Sequence, residues 1–235
     1  MFSINGQIFS GSNVIIVNGR IISGGKTGKS RKFDERKSED CSNIDKIVID
    51  STVADVSVSV SDSSEVEAYF YGEAEIDGDV DFDLQLVNRE LRITLHHTGN
   101  CFNGSLKLDI TVPRKTFREI SAKSSSGDIT LNEGVSTDYL QVTIQSGDLE
   151  TSAIASNFSV SMMSGDVELR IDAIQDINVN ISIMSGDVSA EFNNIGHINL
   201  SASSMAGNVK NRHKEGNGYI ANVNISTMSG NIRIG

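Results

Sequence analysis

The chain has 235 residues, with 20 Lys and Arg against 31 Asp and Glu, which gives a formal net charge of −11 at pH 7. A hydrophobic fraction of 38% is too high for a disordered chain, and no apolar run approaches the roughly 18 residues of a membrane span. The acidic balance argues against broad nucleic-acid binding. The chain has 21 glycines and one proline, and its many serines and asparagines suit turns and strand faces better than helices.

The N-terminal residues predict a short β segment followed by a linker. Residues 1–24 contain two similar pieces, INGQIFSG and VNGRIISG, which indicate an N-terminal β-hairpin segment. Their longest apolar run, Val14–Val17, is too short for the core of a signal peptide, and no anchor is visible. We therefore expect a cytoplasmic location by default. Residues 25–43 are charged and contain glycine, and we interpret them as a linker before a domain over 44–235.

Strand patterns resume at Ile44 and continue to about residue 120. The segment STVADVSVSV places Ala54 before Asp55, with Val56, Val58 and Val60 following at alternate positions. Longer alternating runs follow, and Asn88-Arg89 between two of them predicts a tight hairpin. We expect residues 44–120 to contain one degenerate coil and a cap for the regular coils over 121–235, because open ladder ends invite aggregation.

An internal repeat dominates residues 121–235. The repeated pieces are SSSGDITL, IQSGDLET, MMSGDVEL, IMSGDVSA, SMAGNVKN and TMSGNIRI. Their paired corner residues are Gly127 and Asp128, Gly147 and Asp148, Gly165 and Asp166, Gly186 and Asp187, Gly207 and Asn208, and Gly230 and Asn231. A period of about 20 residues suits one coil of a β-solenoid. Apolar residues alternate before each glycine and change phase after it, which predicts strand, corner and strand in each coil.

These repeats resemble a known family. A strand-rich lead-in, a strand ending in proline (LDITVPRKTFREISAKSSSGDI) and recurrent S-G-D/N-[VIL] corners are similar to the bacterial putative-adhesin family of domains of unknown function. The resemblance covers roughly residues 44–235. It implies an all-β parallel β-solenoid, single-stranded β-helix-like, and a possible location at the cell surface. The family motif carries no catalytic or cofactor-binding residues to this chain.

The corner aspartates are the first candidate for chemistry. Stacked coils would bring successive carboxylates about 4.8 Å apart, where two charges in water repel by about 0.9 kcal/mol. A calcium site is the functional interpretation, but Ca²⁺ requires six to eight oxygens and each coil supplies one carboxylate. We favour a structural corner, because glycine permits positive φ and Asp or Asn hydrogen-bonds nearby backbone. We therefore assign no catalytic, cofactor or metal residues.

Two outward stripes are candidate binding surfaces. The first is a polar face, either a stabilising ladder or a glycan- or partner-binding face, made of Asn178, Asn180, Ser182, Asn199, Ser201, Ser203, Asn222, Asn224 and Ser226. The second is a possible contact stripe of Met163, Met184, Met205 and Met228. Their parity points outward, although methionine is apolar, so we weigh a buried or covered stripe against a protein-contact surface and favour the former.

Several functions remain open at this point. We predict a non-catalytic structural or adhesion-like scaffold, with a carbohydrate-binding module on the Asn/Ser face as the alternative. A polysaccharide-acting enzyme is weaker, because only Glu133, Asp138 and Asp172 lie near the repeats outside their register. The chain ends at Ile232–Gly235 without a polar cap, so we also predict end-to-end or face-to-face self-association, with homo-oligomer, glycan or protein as the possible partners.

Overall fold

The computed structural model describes residues 30–99 and 103–235 in full, and the backbone alone of 2–4, 7–9, 14–17, 20–24, 29, 101 and 102. The fold is all-β, with two long sheets packed face to face, which confirms the predicted parallel β-solenoid. A three-residue 3-10 helix over Cys41–Asn43 interrupts the strands.

The first 24 residues form two antiparallel strand pairs instead of one hairpin. The pairs are β1 (Phe2–Ile4) with β2 (Gln7–Phe9), and β3 (Val14–Val17) with β4 (Arg20–Gly24). In the sequence, each pair is separated by the dipeptide Asn-Gly, which favours a two-residue hairpin connection. Each similar piece of sequence therefore supplies a strand pair of its own.

The predicted linker over 25–43 is wrong for most of its length. Strand β5 (Lys29–Asp40) pairs antiparallel with β8 (Glu65–Ile76) along its whole length. Phe33 is its one buried apolar side chain before Cys41, so β5 lacks the alternation of apolar and polar residues from which a strand is predicted. Backbone pairing and ion pairs such as Arg36–Glu67 at 2.7 Å hold the strand instead. Charges of this kind protect an edge strand from aggregation. Residues 25–28 lie outside the described residues.

The remaining strands are divided between the two long sheets, and from residue 90 onwards successive strands alternate between them. Those of residues 44–113 are β6 (Lys46–Ser51), β7 (Asp55–Ser61), β8, β9 (Asp79–Val87), β10 (Glu90–Thr98) and β11 (Cys101–Pro113). Those of residues 116–234 are β12 (Thr116–Ser126), β13 (Ile129–Leu131), β14 (Ser136–Ser146), β15 (Leu149–Thr151), β16 (Ile154–Ser164), β17 (Val167–Asp172), β18 (Ile177–Ser185), β19 (Val188–Asn193), β20 (Ile195–Ala206), β21 (Val209–Asn211), β22 (Tyr219–Ser229) and β23 (Ile232–Ile234).

The order of strands in space defines the stack. Sheet 1 runs β20-β22-β18-β16-β14-β12-β6-β10-β9, and sheet 2 runs β21-β23-β19-β17-β15-β13-β7-β11-β8-β5. A coil is one strand of each sheet joined at a corner, and neighbouring coils pair in parallel and in register. The expected cap therefore contains two coils, β6/β7 and β10/β11, while β5, β8 and β9 close that end with antiparallel pairing. Asn88 and Arg89 form the predicted tight hairpin with φ of 49° and 68°.

The coils do not all follow the order of the sequence. Coil β6/β7 lies between β10/β11 and β12/β13, and the C-terminal coil β22/β23 lies between β18/β19 and β20/β21. The simplest arrangement for a repeat of this period, in which each coil lies directly on the coil before it in sequence, therefore does not hold at either end of the stack. The C-terminal residues Ile232–Gly235 are consequently inside the stack, and the open end belongs to β20/β21.

The core fills the space between the sheets with stacked rows of Val, Ile, Leu and Phe. One row contains Leu140, Phe158, Val179 and Val223, each at most 2% exposed. At the open end the same row reaches Leu200, which is half-buried, and Val209 in the other sheet of that coil is 42% exposed. A terminal coil has a neighbour on one side only, so its inward residues keep part of their apolar surface in water.

Candidate binding faces of the solenoid

Each regular corner is built on a glycine that no other residue could replace without strain. Gly147 has a φ of +140°, and a Cβ atom built on it would lie 2.4 Å from the carbonyl oxygen of Gly127 in the neighbouring coil. Gly165 and Gly186 repeat this arrangement. Ala54 occupies the equivalent place in coil β6/β7, as the sequence predicts, because its carbonyl oxygen faces Gly127.

The corner aspartates form a hydrogen-bond ladder along the stack. Each carboxylate Oδ1 accepts the main-chain N–H of the equivalent residue in the next coil. The bonds run from Asp148 to Asp128 at 2.8 Å, Asp166 to Asp148 at 2.8 Å, Asp187 to Asp166 at 2.7 Å and Asn231 to Asp187 at 2.7 Å, donor first. Asn208 completes it by donating to Oδ1 of Asn231 at 3.2 Å. The carboxylates therefore replace ladder bonds that the turning backbone cannot make.

Sequence reasoning missed one member of this ladder. Oδ1 of Asp55 accepts the main-chain N–H of Asp128 at 3.1 Å, so the ladder starts one coil earlier than the repeat suggests. The signal was present in Ala54-Asp55-Val56, where alanine takes the position of the corner glycine.

Asp187 has the richest surroundings in the ladder. Its oxygens accept the main-chain and side-chain N–H groups of Asn231, and the Arg233 guanidinium lies 3.5 Å away. The hydrogen bond from the Asn231 backbone, followed by that from its side chain, lowers the pKa of the Asp187 carboxyl below the usual aspartate value. Asn231 belongs to the inserted C-terminal coil, so this carboxylate fixes that coil at the corner.

The Asn/Ser face lies on the outer surface of sheet 1, and all nine of its residues are exposed. One row is a continuous amide ladder, in which Asn222 donates to Oδ1 of Asn178 at 3.1 Å and Asn199 donates to Oδ1 of Asn222 at 2.9 Å. The next row carries Asn180, Asn224 and Ser201 in register. Among the fully described residues, no side-chain hydrogen bond occupies Asn180 or Asn224. The face thus combines one row engaged in a ladder with one row available to solvent.

The four methionines form one exposed stripe beside this face. Met163, Met184 and Met228 are 50–55% exposed and Met205 is 82% exposed. They are aligned across β16, β18, β22 and β20, because the serine or alanine after each methionine pairs in register. The prediction that these side chains point outward is confirmed, and the interpretation that they are buried or covered is wrong. The chain turns towards sheet 2 at the corner glycine, two residues after each methionine. As the exposed fractions show, nothing in the described stack covers these side chains.

The carboxylates outside the repeat register are not brought into one cluster. Glu133 follows β13, Asp138 lies in β14, and Asp172 ends β17, where its Oδ1 accepts a bond from the Asn193 side chain at 2.8 Å. Within residues 30–99 and 103–235, no three His, Cys, Asp or Glu side chains lie close enough to hold a metal ion. No helix in the described part of the chain is long and apolar enough to cross a bilayer.

Two solved structures show what this chain is similar to. One similar solved structure, described as a putative cell adhesion protein from Clostridium sporogenes, has 16% identity and a TM-score of 0.55, with 87% of this chain and 99% of that chain covered. A second, described as a putative adhesin from Bacteroides fragilis, has 18% identity and a TM-score of 0.44, with 87% and 98% covered. No curated protein matches the sequence. The first likeness concerns the fold alone.

The family model described as Toastrack DUF4097 matches residues 44–235, which span the coils β6/β7 to β22/β23 and every repeated corner. The resemblance noted from the S-G-D/N corners is therefore confirmed, and the chain belongs to the Toastrack DUF4097 family of domains of unknown function.

Proposed function

We propose that this domain is a non-catalytic, adhesion-like scaffold that presents regular rows of side chains to a macromolecular partner. The observation that supports this most is the in-register parallel pairing of the coils, which repeats each outward side chain at about 4.8 Å intervals. A sheet paired on both sides holds these rows rigidly, so a partner loses little ordering free energy on the protein side when it binds.

The methionine stripe is the proposed centre of the contact. Exposed apolar rows of this kind mark interaction surfaces, and unbranched methionine adapts to partners of different shape. The neighbouring Asn and Ser rows supply a polar rim with amide donors and acceptors. A surface function of this kind requires a location outside the cell, which antibody labelling of intact cells tests.

Bead adhesion tests the scaffold function. Beads coated with the whole chain are applied to surfaces of mucin, collagen or fibronectin, and retention under flow is measured. We expect the double variant M184E/M228E to reduce retention by about tenfold or more, since charged side chains interrupt the apolar stripe. The double variant D79N/D81N in the edge strand β9, at the opposite end of sheet 1 from the methionine stripe, is the matched control. Retention that is equal for both variants and the unmodified chain contradicts the proposal.

A carbohydrate-binding module on the Asn/Ser face is the second candidate. Its support is the available row of Asn180 and Asn224, whose amides can donate to and accept from sugar hydroxyls. The adjacent row is engaged in the amide ladder, which reduces the capacity of the face. A glycan array probed with the N180A/N224A variant separates this function from protein contact through the methionines.

We infer self-association through β20 and not through the C-terminal strand. In the described part of the chain, strand β20 is paired along one edge only, and it contains no Lys, Arg, Asp, Glu or Pro to protect the other edge. At the opposite end, Lys37 donates to the carbonyl of Phe82 at 2.6 Å and Arg31 donates to that of Gly78 at 3.0 Å, so side chains close that edge. Light scattering at protein concentrations from about 1 to about 100 μM, where weak contacts become populated, tests this self-association. A monomer throughout, or a dimer that S201K/S203K leaves intact, contradicts it.

A further inference from the structure

The outer face of sheet 2 carries a groove that the repeat pattern does not single out. Two cavities of about 450 and 320 Å³ adjoin there, because both are lined by Asp128 and Thr130. The larger follows the ladder of corner aspartates across β13, β15, β17 and β19, and the smaller reaches β8 and β11. Strands are about 4.8 Å apart, so the combined groove is long enough for an extended chain molecule.

An aromatic platform stands at one end of this groove. Tyr69 and Tyr71 stack with ring centroids 4.5 Å apart and an interplanar angle of 18°, and the Arg36 guanidinium lies 3.8 Å from the Tyr69 ring centroid. The Tyr71 hydroxyl donates to Oδ2 of Asp109 at 3.0 Å, which holds the ring in one orientation. Tyr71 therefore lines the smaller cavity in one orientation before any ligand arrives.

Polar groups surround the platform on neighbouring strands. Lys107 lies in register between Tyr71 and Asp55, and the hydroxyls of Ser57 and Thr130 continue along the wall. Oδ1 of Asp55 is engaged with the backbone of Asp128, and its second carboxylate oxygen has no partner among the fully described residues. The site thus offers an apolar ring, an ammonium donor and carboxylate acceptors within one cavity.

This combination matches the chemistry of a sugar. The C–H groups of a pyranose ring pack on the electron-rich face of an aromatic ring, and its hydroxyls bond to carboxylates, ammonium and hydroxyl groups. Three aspartates line the smaller cavity against one lysine, so it repels uronate or sulfated sugars. We propose that the tyrosine groove, centred on Tyr71 and running along Asp109 and Asp128, binds a neutral, extended oligosaccharide. The groove lies on the opposite sheet from the methionine stripe, so this binding goes beyond the contact proposed for that stripe.

Calorimetry on the whole chain tests the groove. The probes are the neutral hexasaccharides of β-1,4-glucose, α-1,4-glucose and β-1,4-N-acetylglucosamine, with α-1,4-hexagalacturonate as the anionic counterpart. We expect at least one neutral probe to bind and Tyr71→Ala to weaken that binding about tenfold or more. Tyr71→Phe keeps the ring and loses the bond to Asp109, so most of the affinity remains. Thermal unfolding of each variant checks the fold, since Tyr71 is only half-buried.

Three results would overturn the proposal: no binding of any neutral probe, equal affinity of the Tyr71→Ala variant, or tighter binding of hexagalacturonate. The double variant N180A/N224A on the opposite sheet is the matched control, and loss of binding in that variant alone would transfer the sugar site to the Asn/Ser face. The adhesion assay with M184E/M228E is independent of Tyr71. Failure of the groove therefore remains distinguishable from failure of the scaffold function.

Discussion

Oδ1 of Asp187 accepts the main-chain N–H of Asn231 at 2.7 Å, although 44 positions separate the two residues and another corner, Gly207-Asn208, lies between them in sequence. The bond exists because the C-terminal coil is inserted beneath the preceding one. Asn231 in turn accepts from the main chain of Asn208. The hydrogen bonds of the corner ladder therefore join coils that are neighbours in space, whatever their order along the chain.

The first prediction concerns this insertion. Amide hydrogen exchange should be slower in β22 (Tyr219–Ser229) than in β20 (Ile195–Ala206), because β22 is paired on both sides and β20 on one. Mass spectrometry of peptides from both segments measures this. Faster exchange in β22 would mean that the coils stack in sequence order.

The second prediction concerns the Asp187 carboxylate. Asp187→Ala should lower the free energy of unfolding by about 1–3 kcal/mol, since the main-chain N–H of Asn231 loses its acceptor. Asp187→Asn keeps an Oδ1 acceptor and should cost less. Denaturant unfolding measures both, with Asp138→Ala as a control at an exposed aspartate outside the ladder. Equal losses for Asp187→Ala and Asp138→Ala would remove the corner bond as a source of stability.

The third prediction is a pH dependence. The pKa of Asp187 is lowered in the folded state, so the ionised carboxylate stabilises the fold above the usual aspartate value of about 3.9, and this contribution is lost as the pH falls through the lower folded-state pKa. The difference in unfolding free energy between the unmodified chain and Asp187→Asn should therefore shrink below about pH 4. A difference in unfolding free energy that stays constant between about pH 7 and about pH 2.5 would contradict this prediction.

The fourth prediction tests the corner glycines. Gly147→Ala should destabilise the protein by about 1–3 kcal/mol or more, because alanine disfavours a φ of +140° and its Cβ would meet the carbonyl oxygen of Gly127. Gly216→Ala is the control, since nothing lies within 4 Å of a Cβ there and its φ is not positive. Thermal unfolding compares the two. A similar melting temperature for both variants would show that the corner tolerates a side chain.

The fifth prediction concerns a buried hydroxyl. Thr227 is 4% exposed, and its Oγ1 has no hydrogen-bond partner among the fully described residues. It points into the core in a row that runs from Met162 and Ile183 through Thr227 to Ser204. Thr227→Val should raise the unfolding free energy by about 1 kcal/mol, as it removes an unsatisfied polar group without changing the shape. Thr227→Ser keeps the hydroxyl and should destabilise. A loss of stability in Thr227→Val would indicate a partner for the hydroxyl.

Much of the repeat region could be predicted from local pattern. Alternation before Gly147 and Gly165 places Val142 and Val160 inside, and both are buried. The corners follow from the special backbone needs of glycine and the short carboxylate beside it. The strand β5 could not be predicted this way, since Phe33 is its one described side chain in the core and its pairing partners lie 25 to 47 positions away along the chain.

The candidate sites also differ in how far local sequence predicts them. The outward parity of the methionines is a local property, but whether another segment covers them depends on distant chain, and the structure leaves them exposed. The tyrosine groove joins Tyr71, Lys107 and Asp55 from three strands that are separate in sequence, so no spacing rule brings them together.

What the sequence determined by itself was the coil: period, corner and inward rows, all set by interactions within about 20 residues. Which coil lies on which was decided only in the tertiary structure. Equivalent coils offer nearly identical ladders, and Asp187 accepts the N–H of Asn231 although the next corner along the chain is that of Asn208. The choice between them depends on connections such as 212–218 and on burial summed over the whole stack.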